Sequence, residues 1–376
     1  MPSTLLITND FGPRAGGIES FVIGLLERMP KSQVVVYTSM QGDTKSYDAD
    51  WFNSFGVKVI RDRSKILLPT PRVVRTLQSL IRQEGIENIW FGAAAPLGVS
   101  ARWLKKAGAS NVVALTHGHE VWWARIWPFS WAISEIAKQS NHLTYLGEFT
   151  KAAMIKRVGD SNKLVRVAPG IDTEHFKPVS AAQLREELQL AHRPTIVTVG
   201  RLVHRKGQDR LLEALPRIIK EIPDVALVFV GEGPHRQQLD NLVKKLGLQN
   251  HVYFIGRIQF SELPKYICVG DVFAMPSRSR FFGLEVEGLG IVYLEASACG
   301  LPVIAGASGG APDAVIAGET GLVVDGNNLE EIAQSCINLL KSKELRDQMG
   351  KNGRAWVIDN WRWEIWSNKF NKLLGF

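Results

Sequence analysis

Cysteine is scarce: the 376 residues hold three, Cys268, Cys299 and Cys336. They are odd in number and never form a C-x-x-C pair, so neither a disulfide framework nor a zinc site is encoded. Long apolar runs are missing as well. Even Trp90–Val99 is broken by Gly92, Pro96 and Gly98, far short of the ~18 residues a membrane helix needs. The first ten residues lack a basic start and reach Asp10 too soon for a signal peptide. No short-period repeat, low-complexity tract, RNP motif, zinc finger or helix-turn-helix signature occurs, which removes the usual nucleic-acid readers. These absences predict a cytoplasmic protein without a spanning segment.

What is present is ordinary in bulk. The hydrophobic share of 45% and charged share of 22% exclude wholesale disorder, and the length suits two domains. The net charge of +8 is unevenly placed: 22 basic face 15 acidic residues up to Val179, and 23 face 22 beyond it. The first half is therefore expected to face something anionic, with a merely soluble basic surface as the alternative.

Short β-rich runs alternate with helical patterns throughout, the signature of a parallel α/β architecture. The first half offers strands at Thr4–Thr8, Val34–Thr38, Val57–Ile60, Asn88–Phe91, Val112–Thr116, His142–Leu146 and Val165–Val167. The second offers Thr195–Val199, Ala226–Val230, Val252–Ile255, Val272–Met275, Pro302–Ala305 and Leu322–Val324. Each set suffices for one open sheet. The breaker-rich stretch Ala168–Pro178 separates them. The division this gives is 1–168, 169–355, and a C-terminal helical segment 356–376 that returns to the first domain. Doubly wound sheets take ligands at the carboxyl ends of their strands.

Three stretches carry chemistry at such strand ends. After the first strand, Asn9–Ser20 holds Gly16-Gly17 before a helix, where backbone N–H groups can approach an anion. It is neither G-x-G-x-x-G nor a Walker loop, and a plain strand–helix turn is the alternative. After the first strand of the second half, Gly200-Arg201-Leu202-Val203-His204-Arg205-Lys206-Gly207 precedes a helix with Leu211, Leu212, Leu215, Ile218 and Ile219 on one face. Arg201 and Lys206 there suit a diphosphate, Arg as a fork and Lys as a point charge. Third, Glu287-Gly288-Leu289-Gly290-Ile291-Val292-Tyr293-Leu294-Glu295 sets two carboxylates eight positions apart around a glycine turn. Ile291 reads as a helix start, and carboxylates can accept from sugar and ribose hydroxyls. Asp48-Ala49-Asp50 matches a metal-holding D-x-D only superficially, because it is expected in a polar loop before Trp51 rather than at a nucleotide-binding strand end.

Glu287-x7-Glu295, taken with Gly200-Arg201-Leu202-x3-Lys206-Gly207, Pro169–Thr173 and Val230-Gly231-Glu232-Gly233-Pro234, resembles the retaining GT-B enzymes of glycosyltransferase family 4. Thr8–Phe11, Thr116-His117-Gly118-His119-Glu120 and Val286–Ala298 resemble, within it, the actinobacterial phosphatidylinositol mannosyltransferases of the second-mannose type. The resemblance implies two Rossmann-like doubly wound domains facing across a cleft, the first for the acceptor and the second for the nucleotide sugar. It implies a retaining, metal-independent transfer of mannose from GDP-mannose to a phosphatidylinositol mannoside, with no cofactor beyond the donor and no nucleic acid. By the same resemblance Gly17, beside Gly16, contacts the donor phosphate, and Arg201 and Lys206 hold the diphosphate. Glu295 binds ribose, Glu287 the donor sugar, the amides of Leu289 and Gly290 its hydroxyls, and Ile291 lies near the phosphate. His117 is set against the donor sugar, preferred to His119 because it directly follows a strand, with a core histidine as the alternative. Rival readings are a family-4 enzyme using UDP-N-acetylglucosamine or UDP-glucose on another acceptor, a sugar-nucleotide 2-epimerase, and a basic nucleic-acid-binding protein.

Seven basic residues lie between Lys58 and Arg82 (Lys58, Arg61, Arg63, Lys65, Arg72, Arg75, Arg82). Thr70-Pro71 reads as an N-cap and first helical turn. At 100° per residue Arg72, Arg75 and Arg82 fall opposite Val73, Val74, Leu77, Leu80 and Ile81. The three arginines are thus expected outward, beside Ile66-Leu67-Leu68, on an anionic membrane surface at the inner face of the cell membrane. Trp122, Trp123, Trp127 and Trp131 either line the acceptor entrance or are buried in the core.

Overall fold

The structure, a computed structural model, describes residues 4–14, 16–118 and 120–376. His119 lies outside them. The chain forms two compact units: one runs to Gly170 and regains Trp363–Phe376, and the other is Ile171–Arg362.

The first unit is built from β1 (Thr4–Thr8), α1 (Gly17–Leu26), β2 (Val34–Thr38), α2 (Lys45–Phe55), β3 (Lys58–Arg61), α3 (Pro71–Glu84), β4 (Asn88–Phe91), α4 (Ala101–Lys105), β5 (Asn111–Ala114), α5 (Glu120–Trp123), α6 (Phe129–Gln139), β6 (His142–Tyr145), α7 (Glu148–Val158) and β7 (Leu164–Arg166). The second follows with α8 (Ala182–Glu187), β8 (Thr195–Val199), α9 (Gln208–Glu221), β9 (Ala226–Val230), α10 (Arg236–Leu246), β10 (Val252–Gly256), α11 (Leu263–Ile267), β11 (Val272–Met275), α12 (Ile291–Ala298), β12 (Val303–Gly306), β13 (Gly321–Val324), α13 (Leu329–Lys341) and α14 (Lys343–Asn360). The last helix, α15 (Trp363–Leu373), belongs to the first unit, where Trp363 reaches Phe21 of α1 and Phe370 meets Trp90 of β4.

Both sheets are parallel, ordered β3-β2-β1-β4-β5-β6-β7 and β10-β9-β8-β11-β12-β13. β1 is flanked on both sides, Leu5 pairing with Val35 and Ile89, and all five of its residues are buried. That explains its continuous apolar run, since a strand covered on both faces has no solvent side to alternate with. In each sheet the winding reverses beside the first strand, at β1/β4 and at β8/β11. Loops leaving those strands therefore splay apart at the carboxyl edge, where ligands of doubly wound sheets bind.

Candidate functional site

In the second unit the Gly200–Gly207 loop leaves β8 at its switch point. It is braced from the next loop, Leu202 N–H donating to Glu232 C=O at 3.0 Å and His235 N–H to Leu202 C=O at 3.1 Å. Gly231 takes φ +128°, and a Cβ there would strike the Gly200 carbonyl, so the brace requires glycine. Lys206 is buried, and its Nζ lies 2.9 Å from Glu287 Oε2. Arg205 reaches the same oxygen at 2.8 Å. Burial opposes ionisation of Glu287, but Lys206 and Arg205 outweigh it and hold the carboxyl below its ordinary value. No hydrogen bond among the described residues engages Glu287 Oε1. Arg201 is exposed, and its guanidinium likewise has no partner among the described residues.

The glycine turn after Glu287 is packed backbone to backbone with the loop after β12. Gly310 N–H donates to Glu287 C=O at 2.8 Å, and Glu287 N–H to Ser308 Oγ at 3.3 Å. A Cβ at Gly309 or Gly310 would strike the Glu287 or Gly288 carbonyl. Gly290 caps α12 at φ +78°, which leaves the N–H groups of Leu289, Gly290, Ile291 and Val292 without hydrogen bonds among the described residues. Unengaged amides at a helix N-terminus favour an anion. Glu295, a turn further on, is half-buried, and its carboxyl has no hydrogen bond among the described residues. Burial pushes its carboxyl up to about 7, with Lys206 pulling the other way.

The first unit holds the remaining sequence candidates. Gly16 caps α1, and a Cβ on it would meet the Glu19 carboxyl, whereas one on Gly17 would meet nothing within 4 Å. Glu19 is buried and accepts from Arg14 Nε at 2.6 Å. His117 follows β5, half-buried, with Nε2–H donating to Gly92 C=O at 2.6 Å and its backbone N–H donating to Glu120 Oε2 at 2.8 Å. Phe21 of α1 meets the imidazole edge-on, ring centroids 5.6 Å apart. The unit thus brings Gly16, Gly17 and His117 to one edge of its sheet.

Two sequence expectations are corrected. Arg72 is not free beside Arg75 and Arg82: with its side chain still 38% exposed, it forms a fork on buried Asp62, at 2.8 and 2.7 Å, and also donates to Ser64 Oγ. Helical spacing places a residue on a face but says nothing of a carboxylate at the end of a neighbouring strand. The Arg72 guanidinium, against the cost of burial and aided by the Tyr37 hydroxyl, holds Asp62 well below the carboxylate range. Second, Asp48-Ala49-Asp50 lies inside α2, not in a loop, and Asp48 is held by Arg61 at 2.7 Å. Among the described residues no group of three or more His, Cys, Asp or Glu is placed to hold a metal ion. Arg205 is the residue that reading by sequence passed over. Its only sequence signal is its place beside Lys206 in the loop after β8; the pairing with Glu287, eighty-two residues on, is visible in the structure alone.

Of the basic stretch, Arg63, Lys65, Arg75 and Arg82 are exposed, as are Ile66 and Leu68. Leu67 between them is buried, its backbone clamped both ways by Asn9. The tryptophans divide: Trp122 and Trp123 pack on Phe129, while Trp127 and Trp131 are exposed. No helix among the described residues is long and apolar enough to cross a membrane.

Residues 15–175 match the family model described as Glycosyltransferase Family 4, and residues 181–356 the model described as Glycosyl transferases group 1. The chain is 41% identical over 373 residues, 98% of it and 97% of the relative, to a GDP-mannose-dependent alpha-(1-6)-phosphatidylinositol monomannoside mannosyltransferase of Mycolicibacterium smegmatis. It is 38% identical, over 99% of itself and 97% of the relative, to the Corynebacterium glutamicum enzyme named for the monoacylated form of that acceptor. Among solved structures, HepE of Anabaena in complex with UDP superposes with a TM-score of 0.83 over both full chains at 18% identity, a likeness of fold.

Proposed function

The chain belongs to glycosyltransferase family 4, and from that membership we propose that it transfers mannose from GDP-mannose to a phosphatidylinositol mannoside with retention of configuration. The observation that carries the reading is full-length identity of about two-fifths to enzymes named for that donor and acceptor. The second unit supports it chemically. The diphosphate of a nucleotide sugar brings two negative charges to a loop where Arg201, and to a helix N-terminus where the α12 amides, have no partner among the described residues. As the glycosidic bond breaks, charge grows on the leaving diphosphate. Cations and N–H groups already in place stabilise that growth without reorganising, the largest usual catalytic contribution.

Glu287 Oε1 is left to accept from a sugar hydroxyl, since Oε2 is taken by Arg205 and Lys206. Glu295 accepts from the ribose hydroxyls, and forming that contact favours its ionised state. Leu289, Gly290 and Ile291 offer N–H groups to the sugar and phosphate. Gly16, Gly17 and His117 keep the roles the resemblance gives them, and His117 is oriented for its role by Gly92. Arg201, Lys206 and the α12 amides stand where a divalent cation would act, so transfer proceeds without one. Complete loss of activity in EDTA that Mg²⁺ restores would overturn that point. The enzyme works at the inner face of the cell membrane, reaching its acceptor as a peripheral protein.

The test offers GDP-mannose, UDP-glucose and UDP-N-acetylglucosamine in parallel with phosphatidylinositol monomannoside, and follows the lipid product. Mannosylated lipid from GDP-mannose alone is expected. Product from a UDP sugar, or none, overturns the reading. GDP at about 100 times its dissociation constant should stabilise the protein by about 2.7 kcal/mol, and UDP and ADP by less.

A further inference from the structure

Between β11 and α12 the chain makes an excursion whose two feet both grip the loop of Arg205 and Lys206. At one foot Arg278 N–H donates to Arg205 C=O at 2.8 Å, and its guanidinium forks onto Asp209 at 2.8 and 2.6 Å. At the other, Glu287 takes Arg205 and Lys206. Between them Arg280 and Glu285 close a small hairpin, exchanging backbone hydrogen bonds of 2.9 and 3.2 Å and pairing their side chains at 3.0 Å. The stem is fixed.

Its tip is apolar and faces water. Phe281 is 62% exposed, Phe282 105% and Leu284 48%. Phe281 and Phe282 both take the left-handed conformation, at φ +49° and +55°, which bulky side chains disfavour. Neither ring fills a core: Phe281 carries the Arg280 guanidinium 4.7 Å from its centroid and otherwise faces water, as Phe282 does. Strained conformations that the surrounding structure over-determines cluster where a ligand is met. The charges of the stem are matched internally, Arg278 to Asp209 and Arg280 to Glu285, which leaves the tip nothing but hydrocarbon to offer.

We propose that the Phe281–Leu284 tip is the contact for the acyl chains of the lipid acceptor, holding hydrocarbon beside the donor loop. This rests on the glycolipid acceptor proposed above. The feet place the tip next to Glu287, and a partner met by phenyl and leucine side chains without a free charge is hydrocarbon rather than a headgroup or an acidic peptide. The tip would then set the preference for an acylated acceptor and leave donor binding alone.

The experiment compares wild type with the double variant Phe281→Ser/Phe282→Ser, and with Phe281→Leu/Phe282→Leu, on acylated phosphatidylinositol monomannoside and on its deacylated, water-soluble headgroup. The serine variant is expected to raise KM for the acylated acceptor about tenfold or more, the scale of losing one buried phenyl contact. KM for the deacylated acceptor and the dissociation constant of GDP should stay unchanged, and the leucine variant should recover most of the loss. Equal losses on both acceptors, or no loss on either, overturn the proposal. So does a concentration-dependent dimer of the wild type that the serine variant abolishes, because a second copy would then cover the tip. If the wild type binds GDP yet mannosylates neither acceptor, the functional reading fails, and the tip is judged by sedimentation with phosphatidylinositol vesicles at high salt. Wild type bound and serine variant free supports a lipid contact; equal sedimentation overturns it.

Discussion

In the first unit Arg61, Arg72, Lys58 and Arg14 are matched to Asp48, Asp62, Glu84 and Glu19 of the same unit. In the second, Arg205 and Lys206 meet on a single oxygen of Glu287, and the Arg201 guanidinium has no partner among the described residues. Charge summed over each half points the other way, because the basic excess lies almost wholly in the first. A summed excess describes the field a distant partner feels. A binding site is marked instead by a local imbalance: cations held in place by the fold with fewer anions than they can satisfy, beside amides with no acceptor. On the proposed function, the missing anion is the donor's diphosphate.

The largest effect should come from removing the unmatched charge. Arg201→Ala is expected to lower kcat by about 10²–10³, the usual cost of losing one preorganised donor, while stability changes by no more than about 0.5 kcal/mol. Lys206→Ala should cost similar turnover and also destabilise the fold, because buried Glu287 then keeps Arg205 alone. Steady-state kinetics beside urea denaturation separates the two. Equal destabilisation by both variants would erase the distinction between matched and unmatched cations.

The converse holds for Arg72. Arg72→Gln leaves buried Asp62 with only Tyr37 and Ser64, so the urea midpoint should fall while turnover of the folded protein stays. The folded-state pKa of Asp62 is depressed, so its contribution to stability is present above the ordinary carboxylate value and lost as pH falls through the folded one. The deficit of the variant is therefore expected at neutral pH and should fade in strong acid. A deficit that grows on acidification would place the Arg72–Asp62 pair outside the fold's stabilising contacts.

Those two variants also mark where sequence ceased to be legible. The strands of both parallel sheets follow from apolar runs of three to five residues, wholly buried where both faces are covered, as in β1, β2, β8 and β9, and only partly so in the edge strands β3, β7 and β10. Val57–Ile60 and Val112–Thr116 were displaced by one or two residues, because strand ends are set by ladder bonds that side chains do not encode. The helix start at Ile291 and the Thr70-Pro71 cap were legible from local chemistry, glycine at a left-handed cap and a hydroxyl reaching Val73 N–H. Three-dimensional pairing was not. Arg72 with Asp62 is ten residues apart, Arg205 with Glu287 eighty-two. No periodicity carries either, and only the family resemblance had set the diphosphate loop and Glu287 in one site.

A smaller effect tests the other unmatched group. Half-buried Glu295 is pushed up to about 7 from its ordinary 4.5. Its ionisation therefore weakens the fold as pH rises from about 4.5 to about 7, and that loss persists above. Glu295→Gln should be more stable than wild type by about 3 kcal/mol at pH 8, and equal to it below pH 4.5. It should bind GDP more weakly at both. A gain in stability with undiminished GDP affinity would take ribose recognition away from Glu295.

The smallest effect concerns the surface of the first unit, where some charge remains unmatched. Arg75 and Arg82 are exposed on α3, Arg63 and Lys65 stand beside the exposed Ile66 and Leu68, and Asn9 pins Leu67 so that its two neighbours project. Near an anionic leaflet each such cation contributes about 1 kcal/mol, screened over a distance of about 10 Å at 0.1 M salt. Arg75→Gln/Arg82→Gln should then reduce sedimentation with phosphatidylinositol vesicles by about thirtyfold at low salt and scarcely at all at high salt. Arg72→Gln, whose guanidinium is engaged by Asp62, should leave vesicle binding as it is. The three arginines share one helical face by spacing and were expected to act together. If both variants lose binding alike, the ion pair yields to the membrane and the contrast between matched and unmatched cations fails at this surface. If neither loses it, α3 faces away from the lipid.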